Sequence, residues 1–244
     1  VVIQENTIVF SNNTATLSTR NSLIIGSATG IGTFNINSTG AVQVGDELRL
    51  GADGNIGNLT LSGGVGGDLF VSGDFTKNDN DAVGILNQNL REIVLNGSSV
   101  QSITGVDTFS FLGIDNSAAS ISVDQDVLIT NRLRLANGSF DTGAFSITME
   151  DGSELQRTSN LATITSEPIV DSGDRYNISY LGALTTANEW SSNEEAVQDV
   201  YLNQDIAIGN DRTLNQSLTL DGANIDLNGN TLRLKGRNTS AGSF

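Results

Sequence analysis

One apolar pattern, which occurs twice in this chain at an offset of 85, constrains the fold more than any other feature. Residues 133–149 read LRLANGSFDTGAFSITM, and residues 218–234 read LTLDGANIDLNGNTLRL. The apolar positions of the two stretches coincide, whereas nearly every polar residue between them differs. A repeated apolar spacing with free polar positions is typical of stacked structural units, so we interpret the pattern as one rung of a repeating β architecture.

Short alternating apolar triplets recur along the whole chain, for example LRL at 48–50, LTL at 59–61 and IVL at 93–95. Alternation in runs this short predicts strands that turn one face toward a core. The stretches between them are rich in turn-forming residues, and the chain holds 27 Gly and 27 Asn against one Pro. Because Gly and Asn tolerate tight corners, we expect a chain that turns often and has no long helices.

The spacing of the triplets selects among the all-β folds. Neighbouring triplets often begin close together, as those at positions 42, 48 and 59 do. This spacing is too short for a crossover helix, so a sandwich, an antiparallel barrel and a solenoid remain. The repeat favours the solenoid. A second match, of residues 123–129 with 202–208 at an offset of 79, predicts six extra residues (85 minus 79) in one copy, which a solenoid accommodates as a loop.

We therefore predict an all-β fold, a single right-handed parallel β-helix (β-solenoid) of about ten coils and about 50 Å in length. It forms one domain over residues 1–244. Residues 157–199 hold the only Pro, the only Trp and two of the three Tyr, and we expect irregular coils or a lateral loop there. Because the chain starts and stops in mid-pattern, we expect it to be a segment of a larger protein.

Composition excludes several classes of site and partner. The chain has no Cys and no His, which removes disulfides, thiolate nucleophiles, the commonest general base and the commonest metal ligand. A net charge of −16 opposes binding to nucleic acid or anionic membranes. No apolar run approaches the ~18 residues of a membrane span. We predict no catalytic residue, no required cofactor, no nucleic-acid partner and no membrane insertion.

Two pairs of aspartates are candidate calcium ligands. Residues 77–84 resemble the start of a calcium loop, with Asp79 and Asp81 two positions apart, although Val83 occupies a ligand position. Asp124 and Asp126 alternate, which would place both on one face of a strand at the spacing that a carboxylate pair needs. For both pairs the alternative is a solvated turn or surface.

Aromatic and acidic residues in the irregular segment are candidate carbohydrate ligands. Trp190 is close in sequence to Glu194 and Glu195, and Tyr176 and Tyr180 precede it. Aromatic rings stack on sugars and carboxylates accept their hydroxyl hydrogen bonds, so these five residues form a predicted ligand-binding set. The alternative is that the single Trp is a core or cap residue.

Several stretches resemble the exported β-solenoid repeat proteins of the Bacteroidetes, many of which reach the cell surface by the type IX secretion system. These stretches are GDLFVSGDFTKND (67–79), residues 91–118, residues 121–149 and residues 218–234, while GTFNINSTGAVQVGDELRLG (32–51) is similar to solenoid repeats of other exported bacterial proteins. The resemblance implies secretion, surface display and adhesion or surface motility. It carries over no catalytic residue, and the C-terminal sorting domain expected of such proteins is not in this sequence.

These observations predict a non-catalytic structural or adhesive segment of a secreted cell-surface protein. Its expected partners are an extracellular surface or glycan and other segments of the parent chain, with affinity arising from many displayed copies. The alternative is a polysaccharide-binding or polysaccharide-degrading module, a lyase or hydrolase, on the same scaffold. An enzyme of that kind needs convergent carboxylates in an outer groove, whereas a stalk needs none.

Overall fold

The computed structural model describes residues 1–4, 7–10, 16–26, 30–37, 39–61, 68–78, 83–236 and 238–240. These residues form 27 short or bent strands and one 3-10 turn at Ala52–Gly54. No helix in this part of the chain is long and apolar enough to cross a membrane.

The strands follow one another with short turns between them. The first nine are β1 (Val2–Ile3), β2 (Thr7–Phe10), β3 (Leu17–Thr19), β4 (Leu23–Ile25), β5 (Gly32–Ile36), β6 (Val42–Val44), β7 (Leu48–Leu50), β8 (Gly57–Leu61) and β9 (Leu69–Val71). The next nine are β10 (Phe75–Lys77), β11 (Gly84–Asn87), β12 (Ile93–Leu95), β13 (Gln101–Thr104), β14 (Thr108–Val123), β15 (Val127–Asp141), β16 (Ile147–Met149), β17 (Glu154–Arg157) and β18 (Ala162–Ile164). The last nine are β19 (Tyr176–Tyr180), β20 (Leu184–Thr185), β21 (Val197–Leu202), β22 (Ile206–Ala207), β23 (Arg212–Leu214), β24 (Ser217–Leu220), β25 (Ile225–Asp226), β26 (Leu232–Leu234) and β27 (Asn238–Ser240).

Three successive strands make one coil, and each strand pairs in parallel with its equivalent in the next coil. Face 1 begins with β3, β6, β9 and β12, face 2 with β1, β4, β7 and β10, and face 3 with β2, β5, β8 and β11. β14 and β15 are long because each bends round the corners and pairs on more than one face. The predicted parallel β-solenoid of about ten coils is confirmed, and its right-handed sense stays a prediction from the connection rule.

The stacked apolar column of face 1 shows how the coils align. Val42, Leu69, Ile93, Leu112, Leu133, Leu155, Ile178, Val200 and Leu218 lie in register and are buried. The step between neighbours in this column is longest from position 42 to position 69 and shortest from position 200 to position 218. Coil length therefore varies at the turns while the inward strand positions stay aligned, as expected for a solenoid.

The repeat at an offset of 85 is confirmed, because Leu133 and Leu218 are both buried on face 1, four coils apart. The second match, at an offset of 79, is wrong. Residues 127–129 lie on face 3, where Val127 pairs with Ile147, whereas Ile206 pairs with Leu184 and Ile225 on strands that follow face 1. The inferred six-residue insertion therefore has no structural counterpart. A short apolar triplet occurs on every face and cannot identify a face by itself.

In residues 157–199 the coils continue on face 1, where β19 joins β17 to β21. Face 3 is irregular in the same segment, with an isolated bridge between Thr148 and Ile169. The interior also changes here. Aliphatic and phenylalanine side chains make up most of the interior elsewhere, whereas this segment buries the larger polar aromatic residues Tyr176, Tyr180 and Trp190.

Candidate functional site

A polar groove of about 470 Å³ lies at the corner between faces 1 and 2. Three successive turns supply most of its lining, at residues 45–46, 72–74 and 96–100, and Ser117 completes it. The groove therefore runs along the solenoid axis across several coils, because the same corner recurs in each coil. Hydroxyl, amide and carboxylate groups dominate the wall, so the groove is suited to hydrogen-bonding ligands.

Glycine lines the groove where the turns approach one another most closely. A Cβ atom on Gly45 would come within 2.6 Å of the Arg20 carbonyl oxygen, and one on Gly73 within 2.6 Å of the Asp46 carbonyl carbon. Both contacts involve backbone atoms of the preceding coil, which cannot move without breaking the stack. The sequence places glycine at these corners because only glycine fits there.

Two buried side-chain amides hold the wall of the groove from inside. Gln101 Oε1 accepts hydrogen bonds from Gly97 N at 2.8 Å and from Asn116 Nδ2 at 2.9 Å. Asn116 Nδ2 also donates to the Ser99 carbonyl oxygen at 2.6 Å. Since Gln101 and Asn116 are at most 1% exposed, these bonds fix the turn at residues 97–99 without competition from water.

The carboxylates of the groove are engaged with neighbouring coils. Asp46 Oδ2 accepts a hydrogen bond from Ser22 Oγ at 2.9 Å, and Asp74 Oδ1 accepts one from Ser102 N at 2.7 Å. Among the described residues, the lining contains no aromatic and no basic side chain. The groove can therefore bind polar groups, and both of its aspartates already accept hydrogen bonds from neighbouring coils.

Aspartate side chains link successive coils by hydrogen bonds, and most of these aspartates directly precede a strand. Seven of them accept a hydrogen bond at 2.7 to 3.2 Å from a backbone N–H located 18 to 28 residues later. The seven pairs are Asp68 with Glu92, Asp74 with Ser102, Asp126 with Ser146, Asp151 with Arg175, Asp199 with Ser217, Asp205 with Asn224 and Asp211 with Thr231. Hydrogen bonds with an ionised partner are stronger than neutral ones, so part of the acidity of this chain has a structural role.

Sequence reasoning missed these inter-coil ties, although a signal was present. Aspartate directly precedes an apolar strand in DLFV (68–71), DFTK (74–77), DVLI (126–129) and DIAI (205–208). Recurrence of Asp at this one position indicates a shared backbone partner in the stacked coil. A solvated surface would not fix the position of the carboxylate.

Asp124 and Asp126 lie in the bend between β14 and β15, so their predicted placement on one face of a strand is wrong. Asp124 Oδ1 accepts from Gly105 N in the preceding coil at 3.1 Å. Asp126 Oδ1 accepts from Ser146 N at 2.8 Å and from Ser146 Oγ at 2.9 Å in the following coil. The two carboxylates therefore bond in opposite directions along the axis. The Ser146 N–H and then its hydroxyl lower the pKa of Asp126 below its ordinary value.

Asp79 and Asp81, the other predicted calcium ligands, lie outside the described residues. Among the residues that are described, no group of three or more acidic side chains is placed to share a metal ion. No third carboxylate from this part of the chain lies with Asp124 and Asp126 at a shared metal site, and calcium stays a prediction for the chain as a whole.

The three predicted aromatic ligands are core residues. Trp190, Tyr176 and Tyr180 are all 0% exposed, so they cannot stack on a glycan at the surface, and that prediction is wrong. The indole packs against the Tyr180 ring with centroids 6.5 Å apart. The physical reason is size, because large aromatic rings gain more than smaller side chains from burial in the core.

Glu194 and Glu195 lie at the surface, apart from the buried indole. Glu194 forms an ion pair with Lys235 at 2.7 Å, and Glu195 forms one with Arg175 at 2.9 Å. Asn215 Nδ2 also donates to Glu195 Oε1 at 2.8 Å. The structure therefore separates the predicted ligand-binding set into a buried aromatic group and two paired surface carboxylates.

Inside the irregular coils, a buried polar cluster surrounds Glu189. Arg157 Nη1 lies 2.7 Å from Glu189 Oε1, with 1% of Arg157 and 0% of Glu189 exposed. Tyr180 Oη donates to the same oxygen at 3.1 Å, and Ala187 N donates to both carboxylate oxygens. Burial raises the pKa of Tyr180, which keeps the phenol protonated and able to donate. We call this set of residues the Glu189 cluster.

The Glu189 cluster is closed to solvent and satisfies its own charges, so it acts within the core. Arg157 occupies an inward position of face 1, between Leu135 and Tyr180. An arginine at an apolar position of the repeat was the available sequence signal. The partner at position 189 could not be found from spacing, because it lies 32 residues away in an irregular coil.

The chain was compared with protein-family models, curated proteins and solved structures. No family model, no curated protein and no solved structure matches this chain.

Proposed function

We propose that this chain is a rigid, non-catalytic segment of an exported cell-surface protein, which displays or spaces an adhesive region. Its partners are an extracellular surface or glycan and neighbouring segments of the parent protein. The role needs no cofactor. Calcium is an optional ligand of the acidic surface, and adhesion gains strength from many copies displayed together.

The observation that carries this proposal is that many outward acidic side chains already form hydrogen bonds or ion pairs within the protein. Seven aspartates bond to the backbone of the next coil, and Glu194 and Glu195 pair with basic residues. A hydrolase or lyase would need such groups free and converging on a substrate. Because these groups instead hold neighbouring coils together, they support a structural role for a rigid segment.

Export and surface display are supported by the chain's likeness to Bacteroidetes solenoid repeats, and we include delivery by type IX secretion in the proposal. The residues that carry the likeness include 121–149 and 218–234, which are strands and turns of the solenoid. The absence of cysteine is compatible with an exported chain, since no thiol requires protection from oxidation.

The non-catalytic part of the proposal is tested with a panel of acidic polysaccharides. The chain is incubated with each polymer, and new reducing ends or unsaturated products are measured. We expect none above the level of a heat-unfolded sample of the same preparation. Saturable product formation that disappears on unfolding would overturn the proposal in favour of a degrading enzyme.

The location is tested with antibodies against the folded chain on cells that produce the parent protein. We expect labelling of intact cells and loss of the epitope after mild surface proteolysis. Labelling that appears only after permeabilisation would contradict surface display.

A second candidate, glycan binding without cleavage, is favoured by the corner groove at residues 96–100. Its hydroxyl and amide lining and its rigid backbone suit a polar polymer that lies along the axis. A glycan array with the wild-type chain and a Ser98→Arg variant tests this candidate, because the arginine would fill the groove. Ala144→Arg, at an exposed turn outside the groove, is the matched control. Binding that both variants retain would place the glycan elsewhere.

A further inference from the structure

Three Asn–Gly pairs occur in the described residues, at Asn96–Gly97, Asn137–Gly138 and Asn228–Gly229. Asparagine is a chemically labile residue. When glycine follows it, no side chain hinders attack of the glycine backbone nitrogen on the asparagine side-chain carbonyl carbon. The sequence makes the three pairs equivalent, and the structure does not.

At the first two pairs, the attacking nitrogen is held by the fold. Gly97 N donates to Gln101 Oε1 at 2.8 Å, and Gln101 is 1% exposed. Gly138 N donates to the Leu161 carbonyl oxygen at 3.1 Å, and the Asn137 side chain donates to Asp115. Both nitrogens would have to leave these hydrogen bonds before they could react.

The third pair is free to react. Asn228 and Gly229 are exposed in the turn between β25 and β26, with φ angles of 49° and 80°. Within the described residues, neither Gly229 N nor the Asn228 side-chain amide has a hydrogen-bond partner. A Cβ atom placed on Gly229 would meet nothing within 4 Å, so the turn has open space on that side.

We propose that Asn228 is a site of spontaneous deamidation in the folded protein, and that Asn96 and Asn137 are protected. The Gly229 nitrogen forms a bond to the Asn228 side-chain carbonyl carbon. The bond from that carbon to the amide nitrogen breaks, and ammonia leaves with the proton lost by Gly229. Water then opens the resulting five-membered imide at either carbonyl, which gives aspartate or isoaspartate at position 228.

The modification has a defined structural consequence. The turn is anchored to the previous coil by Asn230 Nδ2, which donates to the Ile208 carbonyl oxygen at 2.8 Å. Within the turn, Asn228 N donates to Asp226 Oδ1 at 2.8 Å and Asn230 N to the Leu227 carbonyl oxygen at 2.7 Å. Isoaspartate lengthens the backbone by one methylene and adds a negative charge next to Asp226. Both changes loosen the turn and the coil that contains β26.

The test is peptide mapping by mass spectrometry of the intact folded chain during incubation in mildly alkaline buffer. We expect the Asn228 peptide to gain the mass of an amide-to-acid change and to separate into two isomers. The Asn96 and Asn137 peptides should react at least about tenfold more slowly, because a structured hydrogen bond must open first. Equal rates at the three sites in the folded chain would overturn the proposal.

A parallel incubation in urea separates fold protection from local sequence. In the unfolded chain we expect all three peptides to react at similar rates. An Asn228 that reacts in urea but not in the folded chain would also overturn the proposal. In a Gly229→Ala variant, the added methyl group should slow the reaction at Asn228 in urea as well, where folding of the variant plays no part.

Discussion

Glu92 and Arg134 form a bidentate ion pair across the coil that separates them. Arg134 Nε donates to Glu92 at 2.9 and 3.1 Å, and Nη2 donates at 2.6 Å. Gly113 of the intervening coil lies beneath the pair, and a Cβ atom there would come within 2.8 Å of Arg134 Nη2. The pair therefore links two coils across a third on the outside of face 1. Gly113 leaves the space for the two side chains because it has none of its own.

We expect this pair to contribute measurable stability. Glu92→Gln and Arg134→Met should each lower the free energy of unfolding by about 1–2 kcal/mol, less than a fully buried pair because 22% of the Arg134 side chain is exposed. Urea unfolding of both single variants and of the double variant measures the coupling. Glu47→Gln, which affects the more exposed pair with Arg49, is the control. A loss in the two single variants no larger than that of Glu47→Gln, or a coupling energy of zero between Glu92 and Arg134, would contradict the prediction.

Breaking the buried pair between Arg157 and Glu189 should have a larger effect. Arg157→Met leaves the Glu189 carboxylate buried without its cation, and we expect a loss of about 3–5 kcal/mol in the free energy of unfolding. Replacing both residues by methionine should cost less than the sum of the two single changes. Arg175→Met, which breaks the exposed pair with Glu195, should change stability by about 0.5 kcal/mol or less. Strict additivity of the two buried changes would show that the pair does not act as a unit.

The hydrogen bonds that Asp126 accepts from Ser146 should give a pH-dependent contribution to stability. Its carboxylate has a pKa lowered from the ordinary 3.8, because Ser146 donates to it from the backbone and the side chain. The folded state therefore binds fewer protons than the unfolded state near that pH. The contribution is present above the unfolded pKa and is lost as the pH falls through the folded pKa.

Asp126→Ala tests this expectation by comparison of urea midpoints at about neutral pH and below pH 3.8, the ordinary pKa of the carboxyl group. We expect the variant to be less stable than wild type near neutrality and the gap to close in acid. Asp171→Ala is the control, because the Asp171 carboxylate has no hydrogen-bond donor among the described residues. A gap that persists unchanged in acid would mean that packing, and not the ionised tie, produces the effect.

The repeated leucines should report how stability is distributed along the axis. Leu133 and Leu218 are both fully buried on face 1, and Leu→Ala at either should lower the free energy of unfolding by about 2–5 kcal/mol. Each coil contacts mainly its two neighbours, so the effect should be local. Hydrogen exchange should rise in the coils on both sides of the substituted leucine in each variant, and the protection of distant coils should stay unchanged. Uniform loss of protection along the whole chain would contradict nearest-neighbour stacking.

Much of the fold could be predicted because alternation and spacing are local properties. The triplets at 48–50, 59–61 and 93–95 are strands, and the repeat at an offset of 85 reports two equivalent positions on face 1. The candidate site was less predictable. Asp124 and Asp126 look like a pair in sequence but bond to opposite neighbours, and only the stacking of coils reveals those partners.

The sequence by itself determined the strand pattern, the turns and the all-β stacked architecture, because inward apolar positions and corner glycines are constrained within each coil. The tertiary structure alone decided which face each triplet occupies and which side chains meet across coils. Glu92 meets Arg134 at a distance of 42 residues, and Arg157 meets Glu189 at 32. Coil length varies along the axis, since the step on face 1 from position 42 to 69 is longer than the step from 200 to 218. No fixed spacing therefore encodes such contacts, and they exist only once the coils are stacked.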